Sequence, residues 1–574
     1  MLSTYTWPRY EVRRAPELGA TTARRVPLVI VGAGPVGLSA VIDAALRGLP
    51  VILLDDDNTV SIGSRGVCYA KRTLEVFDRL GVGERLVAKG VTWNVGRTFH
   101  GEREVFSFNL QPEAGHHRPG MVNLQQYHLE QFLVERAMQL AAMELRWQHK
   151  CVGIAPGDDG VRLDIETADG SYTLHADWLI AADGAKSGIR RQLGLDAQGK
   201  VFQDRFLIAD IVLDGEPYPL DMAERRFWFA PAFHAGESAL LHRQADNVWR
   251  FDFQLGWDAD PEAEKDPDRV RRRVRAALDS QGFTHINFEL EWVSVYTFQC
   301  RRMAKFHHGR VLFVGDSAHQ VSPFGARGAN SGVQDVDNLI WKLQLVIAGL
   351  APAALLDSYD AERGAAADEN LLNSTRSTDF MTPKSRAARV LRDAVLSLAD
   401  EIAAGRVLVN SGRLSVPTVY NESPLNTPDG EAFDGWMAPG TPIDDAPVRD
   451  AKGRNGWLLP HLGAGFVLLH FGLPDAFGCA AIDALARERI AVHPLFVLTP
   501  GERAGAGHTW LCDVEGLAAK RCDARPGTCY LIRPDQHVAA RWRHFDAAAV
   551  RSALARASHL DSVHAEPVDA PATS

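Results

Sequence analysis

Four short apolar runs each end abruptly on a glycine or an acid. Residues 28–31 open on Gly32, 51–54 on Asp55, 178–182 on Asp183 and 310–314 on Gly315. Short apolar runs bounded by turn residues predict strands buried on both faces. Residues 36–47 read as a helix between the first two, so the start of the chain is a β-α-β unit and implies a parallel sheet. Between Phe202 and Tyr296 the texture changes. Residues 206–213, 226–229 and 247–255 are rich in aromatics and alternate, which predicts antiparallel strands with one buried face. This block interrupts the strands of the parallel sheet, so it is expected to form a layer over whatever that sheet binds.

Downstream, Val333, Val336, Leu339, Ile340, Leu343 and Ile347 follow a helix period, and residues 332–405 read as helical. A Pro/Gly/Asp-rich stretch, 427–450, marks a linker. Residues 466–471, 495–498 and 529–532 then predict strands with helices between them, a separate small α/β domain. The expected boundaries are an arm at 1–25, a nucleotide domain at 26–200 and 297–405, and an inserted sheet domain at 201–296. A linker at 406–450, a C-terminal domain at 451–560 and a tail at 561–574 complete the chain.

Composition narrows the function classes. A chain of 574 residues exceeds one simple core, and 46% hydrophobic with 23% charged residues is ordinary for a globular protein. A net charge of −10 gives no electrostatic case for nucleic acid or an acidic membrane. Seven cysteines, at 68, 151, 300, 479, 512, 522 and 529, include no C-x-x-C pair. That pattern suits free thiols in a reducing cytoplasm, the expected location. The polar N-terminal 25 residues lack a signal-peptide core, and the longest uncharged stretch, 455–473, is broken by glycines, Pro460 and His461. Neither His116-His117 nor His307-His308 has an acid at ligand spacing, so no metal site is expected. There is no G-x-S-x-G elbow to support hydrolase chemistry.

Chemistry concentrates at the strand ends, where ligands of open α/β sheets gather. Gly32-x-Gly34-x-x-Gly37, with Pro35 and Val36 inside it, sits between strand and helix. Glycines there allow a tight turn and close approach of a pyrophosphate to the helix N-terminus. Asp55 lies 23 positions after Gly32, near the spacing at which an acid binds ribose hydroxyls. Asp56 and Asp57 are adjacent, and Asp55 is preferred as the first acid after the apolar run. This motif alone leaves FAD and NAD open. Two further segments are Ala182-Asp183-Gly184-Ala185-Lys186-Ser187, followed by Arg190 and Arg191, and Gly315-Asp316-Ser317-Ala318-His319. The latter continues through Pro323-Phe324-Gly325-Ala326-Arg327-Gly328-Ala329-Asn330.

In this order the three segments resemble the group A flavoprotein aromatic hydroxylases, of the p-hydroxybenzoate, phenol and 3-(3-hydroxyphenyl)propionate hydroxylase type. The resemblance implies a Rossmann-like FAD-binding domain, an inserted antiparallel-sheet substrate domain and a C-terminal thioredoxin-like α/β domain without C-x-x-C. It places Gly32, Gly34, Pro35, Val36, Gly37, Asp55, Arg65, Gln126, Asp183 and Asp316 on FAD, with Asp316 at the ribityl chain. Gly325, Gly328, Ala329 and Asn330 come to the flavin pyrimidine ring at a helix N-terminus. Pro323 and Arg327 would face the reacting centre. Many relatives read G-Q-G-M-N where this chain carries Arg327. The implied reaction hydroxylates a phenolic substrate with NAD(P)H and O₂ through a C4a-hydroperoxyflavin. No second G-x-G-x-x-G exists, so NADH or NADPH would dock transiently, with Lys186, Arg190 and Arg191 facing its phosphates. Partners would be a small aromatic substrate and O₂, with a homodimer possible. Phe227, Trp228, Phe229, Trp249 and Phe251 are candidates for a roof over the site, some of them expected to be core, and His234, His242 and Tyr296 lie in the same block without one standing out as a base. The alternatives are a same-fold flavin reductase or dehydrogenase, a halogenase (W-x-W-x-I-P is absent), or a non-catalytic nucleotide-binding interaction protein.

Overall fold

The first strand, β1 (Arg24–Val31), runs into helix α1 (Pro35–Leu46) and then β2 (Val51–Asp55), the expected β-α-β unit. In this computed structural model, residues 3–214, 224–399, 402, 416–505 and 507–561 are described. β1 pairs in parallel with β2 and with the Gly170–Ala181 strand. The latter pairs in parallel with Val311–Phe313, and β2 with Met143–Trp147. Five parallel strands therefore end on one edge, which is why residues distant in sequence share a site. The arm preceding β1 is held by rings: Tyr5 lies against Tyr127 at 4.3 Å and Tyr10 stacks on Trp147 at 4.8 Å between centroids.

A second sheet of eight strands takes in the inserted block. Its order runs from His319–Gln320 through Phe288–Met303, Ala197–Leu213, Val248–Leu255, Ser238–Arg243, Glu224–Phe229 and Val95–His100 to Arg103–Asn109. It therefore reaches beyond the expected 201–296. Pairing between Ala197–Leu213 and Phe288–Met303 continues to Ala197 opposite Met303, and Val95–His100 adds an edge parallel to Glu224–Phe229. One face of this sheet is dry. Leu207, Ala209, Trp228, Trp249, Phe251 and Phe253 pack there with Val270 and Val274 of the Pro267–Ser280 helix. The stretch expected to be helical forms Gly328–Ile347, Asp357–Met381 and Arg386–Ala399. Among the described residues, no helix is long and apolar enough to cross a membrane.

Cα packing divides the chain into two units, with residues 113–117, 337–366 and 417–574 forming the second. The division falls at 336/337 and at 416/417 rather than near 405; residues 403–415 lie outside the described ones. The second unit holds a seven-stranded sheet. Phe466–Phe471 pairs in parallel with Val492–Leu498, and that strand in parallel with Trp510–Cys512. Cys529–Ile532 and Val538–Trp542 continue it antiparallel. A buried charge network sits within this unit. Arg533 donates to Glu362 at 2.6 and 2.9 Å and to Asp535 at 3.0 and 2.6 Å, and Lys342 donates to Glu362 at 2.7 Å. All four of these side chains are sealed from water, each 0% exposed. Burial opposes the Glu362 charge, but Arg533 and Lys342 outweigh it and hold its carboxyl far below the usual range.

Removing one partner of such a network leaves an uncompensated buried charge, which costs about 3–5 kcal/mol. Glu362→Gln should lower stability by that amount in equilibrium urea unfolding. A loss below about 1 kcal/mol would show that the network is not stabilised as drawn.

Candidate active site

The three motif segments meet through their backbones. Gly32 N–H donates to the Leu54 carbonyl at 2.8 Å, Ala182 N–H to Val31 at 2.9 Å and Val314 N–H to Ala181 at 3.1 Å. Gly32 has φ +107°, and a Cβ there would lie 2.4 Å from the Ala182 carbonyl oxygen. A Cβ on Gly37 would lie 1.8 Å from the Gly32 carbonyl oxygen. Only glycine fits either position. The Ser317 hydroxyl donates to the Ala181 carbonyl at 2.6 Å, and the Arg190 guanidinium donates to Ser317 at 2.6 Å and to Ala185 at 2.9 Å. Asp335, from the Gly328–Ile347 helix, accepts from Gly315 N–H at 2.9 Å and lies 2.7 Å from His319 Nε2.

These contacts border a cleft of about 1050 Å³. It is lined by Gly34, Pro35, Val36, Arg65 and Gln126, and by Ala182, Gly184, Lys186 and Asp316 from the strand ends. Pro323, Arg327, Gly328, Ala329 and Asn330 also line it. A Cβ on Gly34 would meet no heavy atom within 4 Å, so this loop faces open cleft space. α1 and the Gly328–Ile347 helix both begin on the cleft, and first-turn N–H groups there have no intrahelical acceptor. Two positive dipole ends therefore border one cavity.

The predicted residues take different roles. The Asp316 side chain reaches the cleft and makes no hydrogen bond or ion pair among the described residues. Enclosure by protein raises its carboxyl above the ordinary range; His319 opposes the shift and Asp335 adds to it. Asp55, by contrast, accepts from Ala33 N–H at 2.5 Å and from Asp57 N–H at 2.9 Å. It organises the glycine loop and is not among the cleft-lining residues. Asp183 accepts from Ile189 N–H at 3.0 Å at the start of the short Gly188–Gln192 helix, and its neighbours line the cleft in its place. Gly32 and Gly37 lie beneath the cleft as packing positions, and Gly325, at φ +96°, shapes the turn before the helix.

Gln126 accepts from Gly66 N–H at 3.0 Å and donates to Glu130 at 2.8 Å, while Arg65, at φ 41°, donates to Ile62 at 3.2 Å. Asn330 works as a strut: its amide oxygen accepts from Ala70 N–H and its nitrogen donates to the Cys68 carbonyl, each at 2.9 Å. Arg327 is buried and donates to Asn370 at 2.9 Å.

The roof differs from expectation in its composition. Of the aromatic candidates only Phe227 lines the cleft. Trp228, Trp249 and Phe251 occupy the sheet's dry face, and Phe229 packs with Val105 and Leu396. Strand side chains alternate between faces, so a run of consecutive aromatics cannot all face one way. The cleft-facing side presents Phe206, Tyr296, Phe298 and Trp292 instead, with a polar group of Arg225, His242, Arg250 and Asp252. None of those four was singled out as a site residue from sequence except His242, left unassigned among three candidates. Their signal was present in the alternation Arg225/Phe227 and Arg250/Asp252, which is legible once the register is known. His234 lies 2.6 Å from the Gln254 carbonyl and serves the sheet.

The donor set fits FAD. An orphaned carboxylate suits a sugar hydroxyl, the open glycine loop and helix N-termini suit a pyrophosphate, and the cavity is at the upper end of ordinary ligand sites. Among the described residues no cluster could hold a metal ion. A family model described as FAD binding domain matches residues 25–374. A 3-(3-hydroxy-phenyl)propionate/3-hydroxycinnamic acid hydroxylase of Mycobacterium sp. (strain JLS) is 28% identical, over 93% of this chain and 92% of its own. A 6-methylpretetramide 4-monooxygenase of Streptomyces rimosus is 30% identical over 93% of both chains. Among solved structures, the flavin-dependent monooxygenase PieE with FAD and substrate aligns with TM-score 0.78 at 24% identity, covering 93% of this chain and 99% of that one. Aklavinone-11 hydroxylase with FAD and aklavinone aligns with TM-score 0.74 at 22% identity, covering 94% and 100%.

If Asp316 receives a hydroxyl of the cofactor, Asp316→Ala should weaken FAD binding by about 10-fold or more, the worth of a hydrogen bond to a charged group. The ratio of flavin to protein after gel filtration, and the Kd from flavin fluorescence on reconstitution, check this.

Proposed function

The chain belongs to the FAD binding domain family as an FAD-dependent aromatic monooxygenase, and from that premise we propose that it hydroxylates a phenol of the 3-(3-hydroxyphenyl)propionate type, consuming NAD(P)H and O₂. The observation carrying this reading is Asp316, unpartnered on a cleft that two helix N-termini and a set of aromatic side chains also line. FAD, when bound, supplies the redox and oxygen-transfer chemistry. The chain's residues do the rest. Asp316 would accept from a ribityl hydroxyl, and the Gly34–Val36 turn would meet the pyrophosphate. The Gly328–Ile347 N-terminus would supply donors fixed in place, which stabilise negative charge on the cofactor ring without reorganising. Phe206, Phe298 and Phe324, with centroids 5.1–5.8 Å apart, keep water from the reacting end. Pro323 stands beside them on the cleft. Lys186, at the cleft, supports transient docking of a nicotinamide cofactor's phosphate, since no second dinucleotide loop exists.

A polycyclic phenol is a second reading, favoured by the cleft volume and by the relative named for 6-methylpretetramide. In the second unit, the parallel pair at Phe466–Phe471 flanked by antiparallel strands supports a thioredoxin-like reading, and its cysteines are free, which favours a structural role.

The test is a screen of hydroxyphenylpropionates, simple phenols and polycyclic phenols for stimulated NADH or NADPH oxidation. Oxygen uptake and a product one oxygen atom heavier than the substrate are expected for at least one class. Oxidation without any oxygenated product would leave a reductase as the better description.

A further inference from the structure

Register arranges the roof in rows, because paired residues on neighbouring strands face the same side. Arg226 opposes Leu241 and Phe227 opposes Leu240, so Arg225 falls opposite His242. His242 opposes Arg250, Arg250 opposes Asp210, and Asp210 opposes Trp292. This charged row is followed, two residues along each strand, by Phe227, Leu240, Asp252, Ile208 and Ser294. Two residues further come Phe206 and Tyr296, paired with one another. At about 3.3 Å per residue the rows lie about 7 Å apart, and the charged row about 13 Å from the Phe206–Tyr296 row. The roof thus runs from a charged end to an aromatic end.

The charged end is not balanced. Arg250 is neutralised by Asp252, to which it donates at 2.9, 3.1 and 3.2 Å. Burial pushes the Asp210 carboxyl up to about 7, with Arg250 opposing. His242 is held neutral by burial and by Arg225 and Arg250. The Cys68 thiol, 4.0 Å from His242 Nδ1, is pushed up by burial and brings no negative charge. Arg225 lines the cleft and has no hydrogen bond or ion pair among the described residues; burial works against its charge, with Cys68, Asp252 and Tyr296 opposing that shift. A guanidinium enclosed by protein with no hydrogen-bonded partner is unfavourable, and its five donors match an oxyanion.

We propose that Arg225 is the seat of an oxyanion carried by the aromatic substrate, whose ring lies toward Phe227, Leu240 and Phe206. A side-chain carboxylate and an ionised ring hydroxyl share this chemistry. The proposal rests on the monooxygenase reading for the ligand's identity as substrate, but its test needs no turnover. FAD-loaded protein is titrated with 3-phenylpropionate, 3-phenylpropionamide and 3-propylphenol, following the visible flavin spectrum.

The acid should bind about 10-fold tighter than the amide, the worth of a charge-assisted contact. Arg225→Gln should abolish that preference while leaving the amide within about 2-fold, and Arg225→Lys should keep part of it. An unchanged flavin-to-protein ratio shows that the variants are folded, and Arg225→Lys alone still reads the effect of geometry if Arg225→Gln does not fold. Loss of affinity for 3-propylphenol only, by about 10-fold in Arg225→Gln, places the ring oxygen at Arg225 and also supports the proposal. Equal binding of acid and amide with a phenol indifferent to Arg225→Gln overturns it, as does failure of all three to bind. Failure of the functional reading shows separately, as the absence of any oxygenated product.

Discussion

The active cleft depends on a backbone approach that only glycine permits. The Gly32 turn presses against the Ala182 carbonyl, and Gly37 brings α1 down onto Gly32 itself. With these in place the strand ends satisfy one another, through Gly32 to Leu54, Ala182 to Val31 and Val314 to Ala181. The cleft surface is left with open groups: first-turn N–H groups of two helices and the Asp316 carboxylate. Donors and acceptors left open on one cleft surface favour a ligand that supplies the missing partners. Gly332 extends the same constraint, since a Cβ there would lie 2.6 Å from Val36 Cγ2 and push the second helix out of place.

The roofing sheet solves a different problem. Its outer face is a continuous apolar layer against the Pro267–Ser280 helix, and that layer stabilises the sheet. The inner face is thereby released from a packing duty. It carries Arg225, His242, Arg250 and Asp252 within one stretch of three strands, an arrangement a core face could not tolerate. Arg250 also donates to the Arg65 carbonyl at 2.8 Å, which ties the roof to the loop after β2. Gly63 allows that loop to come close: a Cβ there would lie 2.2 Å from the Trp292 ring.

The parallel sheet and the glycine loop were legible in sequence because each is a local signal: an apolar run, a turn residue and a helix period in a fixed order. Asp316, singled out through the family resemblance, likewise stands at the end of such a run and lines the cleft. Asp55 was assigned to a ligand from spacing and Asp183 from resemblance, yet each oxygen that bonds does so to a nearby backbone N–H of its own loop. Spacing cannot tell a carboxylate that holds a turn from one that holds a sugar. The roof failed for a related reason. Trp228 and Phe227 are equally aromatic, and which of them faces the cleft is set by register, a relation between strands far apart in sequence. Arg225 was missed by one position for that reason. The network of Glu362, Arg533 and Lys342 left no local trace, since Arg533 and Glu362 are 171 positions apart.

Arg327 shows how a departure from the family's pattern is absorbed. A cation at a helix N-terminus works against the dipole, and beside a ring that becomes anionic it would shift the balance of charge. The structure turns the side chain away from open solvent and toward Asn370, which in turn donates to Ser331 at 3.3 Å. The guanidinium thus becomes a brace between the Gly328–Ile347 and Asp357–Met381 helices. Asn330 braces the same turn from the other side, through Ala70, Cys68 and the Ala326 carbonyl. Ala326, at φ 52°, sits in a left-handed conformation that costs a non-glycine residue about 1 kcal/mol or more. The two braces account for its persistence: the turn is held from both flanks, so the helix N-terminus keeps its aim at the cleft without needing the residues most relatives use.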